Sequence, residues 1–124
     1  DDRMRYNAIP YVVYTFPDVA ACGLSEEQAK EKGYNAVSAK LPMQASGRHL
    51  AEHQRAEGFI KLVFDADSHV LLGVHMLGTY AAEIINAVPA MIEAEFRVED
   101  IRDTVFGHPT VGELISDVSW EIDL

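Results

Sequence analysis

Few side chains in this 124-residue sequence could do chemistry: five histidines, one cysteine and scattered serines. His108 is the one most constrained by its neighbours, within the run VFGHPTVGEL at residues 105–114. Pro109 stiffens the backbone beside the imidazole, and a helix starting just after would turn the Glu113 carboxylate back toward the ring. A carboxylate bonded to one ring nitrogen fixes the tautomer and raises the basicity of the other, as a general acid–base requires. The His108–Pro109 bond is also a place where a cis peptide is expected. The plainer reading is a loop histidine, with Glu113 only completing the cap of the following helix.

The other candidates carry less. His49-Leu-Ala-Glu-His53 matches the H-x-x-E-H pattern of inverted zinc peptidases, which needs both histidines on one helical face and a third ligand. Its flanks are polar and poor material for a long buried helix, so an exposed loop is the expectation and no metal is expected. Cys22 has no second cysteine to pair with and reads as a small buried hydrophobe rather than a reactive thiol. His75 alternates within a strand pattern, and His69 falls in a turn. Gly47, Gly73 and Gly78 lie too far apart for a phosphate loop, and neither Ser25 nor Ser46 has a visible His–Asp arrangement.

Acidic residues outnumber basic ones by 20 to 10, giving a net charge of −10 and a pI near 4.7. That balance disfavours nucleic acid and anionic lipid, which would repel it, and favours a basic protein partner. No apolar run is long enough to span a bilayer, so no membrane role is expected and a cytoplasmic setting fits. The length suits one domain with its own core. The chain opens on Asp1-Asp2-Arg3 without an initiator methionine, which suggests a segment of something longer.

The elements that must position His108 follow from pattern. Residues 9–15 form a β-branched and aromatic run that predicts a strand, and residues 20–23 continue extended. Ser25, with Gln28 three residues on, predicts a capping box for a short helix stopped by Gly33. Strands are predicted at 35–42, 58–65 and 70–77, the last two as a hairpin, with a polar loop or short turn at 43–57. Apolar residues at helical spacing predict a helix over 80–96, kinked near 85–89 by Pro89. Residues 98–104 predict another helix, and 111–120 a last one with Thr110 as N-cap and Glu113 closing a capping box. The order implies an α+β fold, an antiparallel sheet with helices packed on it.

His108-Pro-Thr-Val-Gly-Glu113 resembles the His-Pro-Thr-x-x-Glu motif of the pyridine nucleotide-disulfide oxidoreductases. The run from Ile9 to Ala20 resembles the opening of that family's interface domain. Gly23-Leu-Ser-Glu-Glu-Gln-Ala29, Ala45-Ser-Gly-Arg48, Gly58-Phe-Ile-Lys61, Leu72-Gly-Val-His75, Ala82-Glu-Ile-Ile85 and Glu99-Asp-Ile101 follow in the family's order. The series covers nearly the whole chain and is most similar to the dihydrolipoamide dehydrogenase branch. Phe16 departs from it, standing where many relatives carry histidine before the proline, as do Gly112 and Pro89.

The resemblance implies residues 1–124 are the C-terminal dimerisation domain of a longer flavoenzyme, pairing as a homodimer. It implies FAD and NAD in the full-length protein, with none bound to this piece, and a redox-active Cys-x4-Cys pair upstream. Carried over, His108 is the acid–base for the attacking dithiol, Glu113 its orienting partner, and His108 and Pro109 a main-chain contact to the partner's flavin. It further implies docking on the acyltransferase core of 2-oxoacid dehydrogenase complexes. The alternatives are the same domain of a glutathione reductase-like relative, or a stand-alone acidic homodimeric module without catalysis.

Overall fold

The computed structural model describes residues 6–47 and 58–124. Five strands form one wholly antiparallel sheet: β1 (Tyr11–Val13), β2 (Val19–Gly23), β3 (Ala36–Pro42), β4 (Phe59–Asp65) and β5 (Leu71–Leu77), in the order β1-β2-β5-β4-β3. The α+β reading therefore holds. The H-x-x-E-H segment, expected as a loop, lies outside the described residues.

β1 is shorter than the run at 9–15 predicts. Pro10 has no N–H to give to a ladder. At the other end the Thr15 N–H turns back to the Val13 carbonyl at 3.0 Å, closing a tight turn before the cis Phe16–Pro17 bond. The capping box at Ser25 forms as expected. The Ser25 hydroxyl accepts from Gln28 N–H at 3.1 Å, and the Gln28 side chain accepts from Ser25 N–H at 3.0 Å. This starts α1 (Glu26–Glu31), which closes over the second face of the sheet through Ala29, Ala36, Val63 and Leu72.

The hairpin β4–β5 carries a slip that strict alternation misses. Phe64 pairs with Leu71 but Val63 with Gly73, leaving Leu72 as an extra residue. Leu71 thus joins Val74 and Met76 in the larger core, while Leu72 faces α1. Beside the slip β2 crosses very close: Gly23 is paired with Gly73, and a Cβ on Gly73 would stand 2.0 Å from the Leu24 carbonyl oxygen. Only glycine fits there.

The single helix predicted over 80–96 is three pieces: α2 (Ala81–Ile84), a 3-10 turn (Ile85–Ala87) and α3 (Val88–Glu93). The break falls at 85–87, just ahead of Pro89, where the expected kink lies, because proline fits the first turn of a helix but not its interior. α4 (Val98–Asp103) and α5 (Leu114–Trp120) follow. Leu114, Ile115 and Val118 of α5 are fully buried over β3 and β4, and complete the main core with Ile60, Leu62 and Phe64. No helix among the described residues is long and apolar enough to cross a membrane.

Candidate functional site

The loop between α4 and α5 is pinned at both ends and open in the middle. Phe106 packs half-buried against the main core and Val111 is buried in it, so residues 107–110 must arch outward between them. The Thr110 hydroxyl braces the arch, donating to the Gly107 carbonyl at 2.6 Å and accepting from the Glu113 N–H at 3.3 Å. The Ser46 hydroxyl approaches the Thr110 carbonyl at 3.5 Å from outside the loop. The His108–Pro109 bond is cis, as the proline suggested.

The imidazole stands on the crest of this arch with its side chain 80% exposed, and the carboxylate behind it is 16% exposed. Both Glu113 oxygens lie 3.0 Å from His108 Nδ1. That arrangement puts a proton on Nδ1, shared between the two oxygens, and leaves Nε2 as a lone-pair acceptor facing solvent. The structure brings His108 and Glu113 together as the sequence suggests, but by a different local route. α5 begins at Leu114 rather than near Val111, with Glu113 itself as the N-cap residue. The capping box expected at Thr110 is half closed, because the Glu113 carboxylate is turned to the ring instead of to the Thr110 backbone.

One further feature holds this geometry. The Arg102 guanidinium donates to the Ser119 carbonyl at 2.6 Å and to the Ile122 carbonyl at 2.8 Å, and stacks 4.8 Å over the Trp120 ring. It thereby satisfies the carbonyls that a helix C-terminus leaves open, and ties α4 to α5 across the loop. Asp117 sits one turn beyond Glu113. Burial first, and then the Glu113 charge, hold its carboxyl above the usual aspartate range, partly offset by His108.

A second imidazole–carboxylate pair was not legible in the sequence, because its members are 30 residues apart. His69, at a left-handed φ of 67° in the β4–β5 turn, places Nδ1 2.5 Å from Glu99 in the first turn of α4. The His69 carbonyl also accepts the Val98 N–H at 2.9 Å, so the pair anchors the start of the helix that leads into the His108 loop. The hydrogen bond from His69 holds the Glu99 carboxyl below the ordinary glutamate range. A carboxyl depressed in the fold stabilises it above the unfolded value, about 4.3, and that contribution fades as pH falls through the folded value. Melting temperature measured from pH 6 to pH 3 should thus fall less steeply in Glu99→Gln than in the parent. Parallel curves would contradict a role for this pair.

The remaining candidates resolve simply. Cys22 is buried, and burial pushes its thiol up to about 11, so it is a core residue and a poor nucleophile. His75 lies in β5 with Nε2 3.1 Å from the Leu24 carbonyl, a satisfied sheet histidine. Among the described residues no cluster of His, Cys, Asp or Glu could hold a metal. Among the described residues no hydrogen bond to the His108 main chain is present, and His108 and Pro109 are both exposed. A shallow cleft lined by Tyr80, Glu83, Ile84 and Pro109 to Gly112 borders the arch.

Comparison with known proteins agrees with this architecture. The family model described as pyridine nucleotide-disulphide oxidoreductase, dimerisation domain, matches residues 9–118. The chain is 39% identical to dihydrolipoyl dehydrogenase of Geobacillus stearothermophilus over 92% of its own length and 24% of that protein's. It is 44% identical to dihydrolipoyl dehydrogenase of Thermus scotoductus over 85% of its own length and 23% of that protein's. The chain thus spans about a quarter of the length of the curated relatives it matches. Among solved structures, the HOCl-induced flavoprotein disulfide reductase RclA from Escherichia coli superposes with a TM-score of 0.87 at 28% identity, covering 94% of this chain and 27% of that one. LpdA from Mycobacterium tuberculosis gives the same TM-score of 0.87 at 19% identity, covering 97% and 26%, and shows the shared fold alone. A match over nearly the whole chain, on a sheet and helix order of this kind, means that the chain belongs to the pyridine nucleotide-disulphide oxidoreductase family as its dimerisation domain.

Proposed function

We propose that this chain serves a dihydrolipoyl dehydrogenase-like, FAD- and NAD-dependent disulfide oxidoreductase, pairing as a homodimer and lending His108 and Glu113 to the partner subunit's flavin–disulfide site. One observation carries the reading: Glu113 holds Nδ1 with both oxygens while the ring's other face is open to solvent. An imidazole prepared in this way needs a proton donor to act on. Among the described residues the only thiol, Cys22, is buried.

In the reaction, His108 Nε2 takes the proton from a thiol of the dithiol substrate. The thiolate so formed is the species able to attack a disulfide sulfur. Glu113 keeps the ring in the accepting tautomer and stabilises the imidazolium, which returns its proton to the sulfur released. As the substrate dithiol becomes a disulfide, its two electrons reduce the enzyme's disulfide. FAD, when bound, would accept that electron pair and pass it to NAD. The main chain at His108 and Pro109 would meet the flavin ring, a contact that the exposure of both residues permits. The likeness over this domain to proteins named dihydrolipoyl dehydrogenase, 39% and 44% identical, favours dithiol chemistry over the glutathione reductase-like alternative and over a module without catalysis.

The net charge of −10 suits docking on a basic surface, and the acyltransferase core of a 2-oxoacid dehydrogenase complex is the proposed partner, in a cytoplasmic setting. Rapid-mixing reduction of the full-length protein by dithiol, with and without His108→Gln, tests the assignment. Unchanged reduction would end it.

A further inference from the structure

Beside the arch the fold leaves a cleft that the acid–base pair does not fill. One wall is the arch itself, Pro109 to Gly112, and the other is the turn into α2 with Tyr80, Glu83 and Ile84. Its volume of about 460 Å³ is within the range of small-molecule sites. Tyr80, Ile84, Pro109 and Val111 make its lining mainly apolar. A dithiol that brings one thiol to His108 must lay the rest of itself along the arch, and this is the apolar recess that the arch borders.

Tyr80 is held at the cleft against its backbone preference. Its φ is 72°, in the left-handed region, where a bulky side chain is an outlier and glycine sits without strain. The Tyr80 carbonyl fixes that conformation by accepting the Glu83 N–H at 3.0 Å and the Ile84 N–H at 2.9 Å, which starts α2. The turn itself calls only for backbone, yet the residue carries a large ring, 39% exposed on the cleft. Strain of this kind gathers where chains clamp ligands.

Charge narrows what the cleft accepts. Glu83 is exposed and is the one charged residue among the described residues that line it. Glu113, the next carboxylate, stands behind the imidazole, with Asp117 a turn further along α5. All three are acidic, so a substrate arm ending in a carboxylate is repelled. An arm ending in an amide carries no charge, and its N–H finds an acceptor in Glu83.

We propose that this cleft is the subsite for the arm of the dithiol substrate, with Tyr80 as its wall and Glu83 as a filter that favours uncharged arms over carboxylate-ended ones. The proposal rests on the acid–base reading above and deepens it. Reduction of the full-length protein by three dithiols provides the test: dithiothreitol, which has no arm, and an eight-carbon dithiol whose arm ends in an amide or in a carboxylate. Tyr80→Gly suits the left-handed backbone, and a cooperative melt like the parent's would show it folded. Its preference in kcat/KM for the amide-ended dithiol over dithiothreitol should fall about tenfold, through KM, as expected for losing roughly 55 Å² of apolar contact. Glu83→Gln should cut the preference for amide over carboxylate about threefold at low salt, and high salt should do the same to the parent. Tyr34→Ala, exposed beyond the opposite end of the sheet, should change neither ratio. Unchanged preferences in Tyr80→Gly or in Glu83→Gln would overturn the proposal. His108→Gln should slow all three dithiols alike. If that variant instead reacts like the parent while Tyr80→Gly loses its preference, the acid–base role fails and the subsite stands.

Discussion

His108→Gln in the full-length protein is expected to slow reduction by dithiol about 100- to 10,000-fold, the range a positioned acid–base group supplies. Glutamine is close to histidine in reach and can still bond to Glu113, so the arch held by Phe106, Val111 and Thr110 should survive. What it lacks is a ring nitrogen that can accept the substrate proton. The substrate thiol must then reach its thiolate unaided, and at neutral pH only a small fraction does. Reduction by NADH enters from the other side of the electron path and should proceed at the parent rate, which separates a chemical defect from misfolding. Glu113→Gln should act in the same direction. An amide N–H turned toward Nδ1 selects the tautomer with its proton on Nε2, and that ring has nothing with which to accept.

Leu114→Ala should cost about 3 kcal/mol of stability, within the range for buried leucine truncations. Leu114 is fully buried at the start of α5, directly after the carboxylate that orients His108. Its side chain fills space over β3 and β4, where Ile60, Leu62 and Phe64 are also fully buried and offer no easy collapse. For a domain of this size the loss corresponds to a melting temperature lowered by roughly 10 °C. Arg102 still ties the far end of α5, so the helix should remain and the near turn should loosen. Urea unfolding measures the effect. A loss below about 1 kcal/mol would mean that the start of α5 is not held by its core contacts.

Much of this was readable in the residues. Alternation and turn chemistry revealed the β4–β5 hairpin, and the Ser25–Gln28 box marked the α1 start because both devices are local. The His108–Glu113 pair was readable for the same reason, being five residues apart with proline between. What was missed depends on tertiary contact. The α5 boundary shifted because a carboxylate that could have closed a cap met an imidazole instead. The bulge at Leu72 answers the close approach of β2 at Gly23, and no periodicity encodes that. His69 and Glu99 meet only because the hairpin turn folds onto α4.

In the proposed function the acid–base pair of one subunit serves the disulfide of the other. Two inactive full-length proteins provide the direct measurement: one carrying His108→Gln, the other with its upstream redox cysteines replaced. Dissociated and reassociated together, they should regain dithiol-dependent NADH formation. Each mixed dimer unites an intact disulfide with an intact His108 across the interface at one of its two sites, so activity per mixed dimer should approach half that of the parent. Mixed dimers with no more activity than either variant alone would show that the histidine and the disulfide must belong to the same subunit, and would contradict the account.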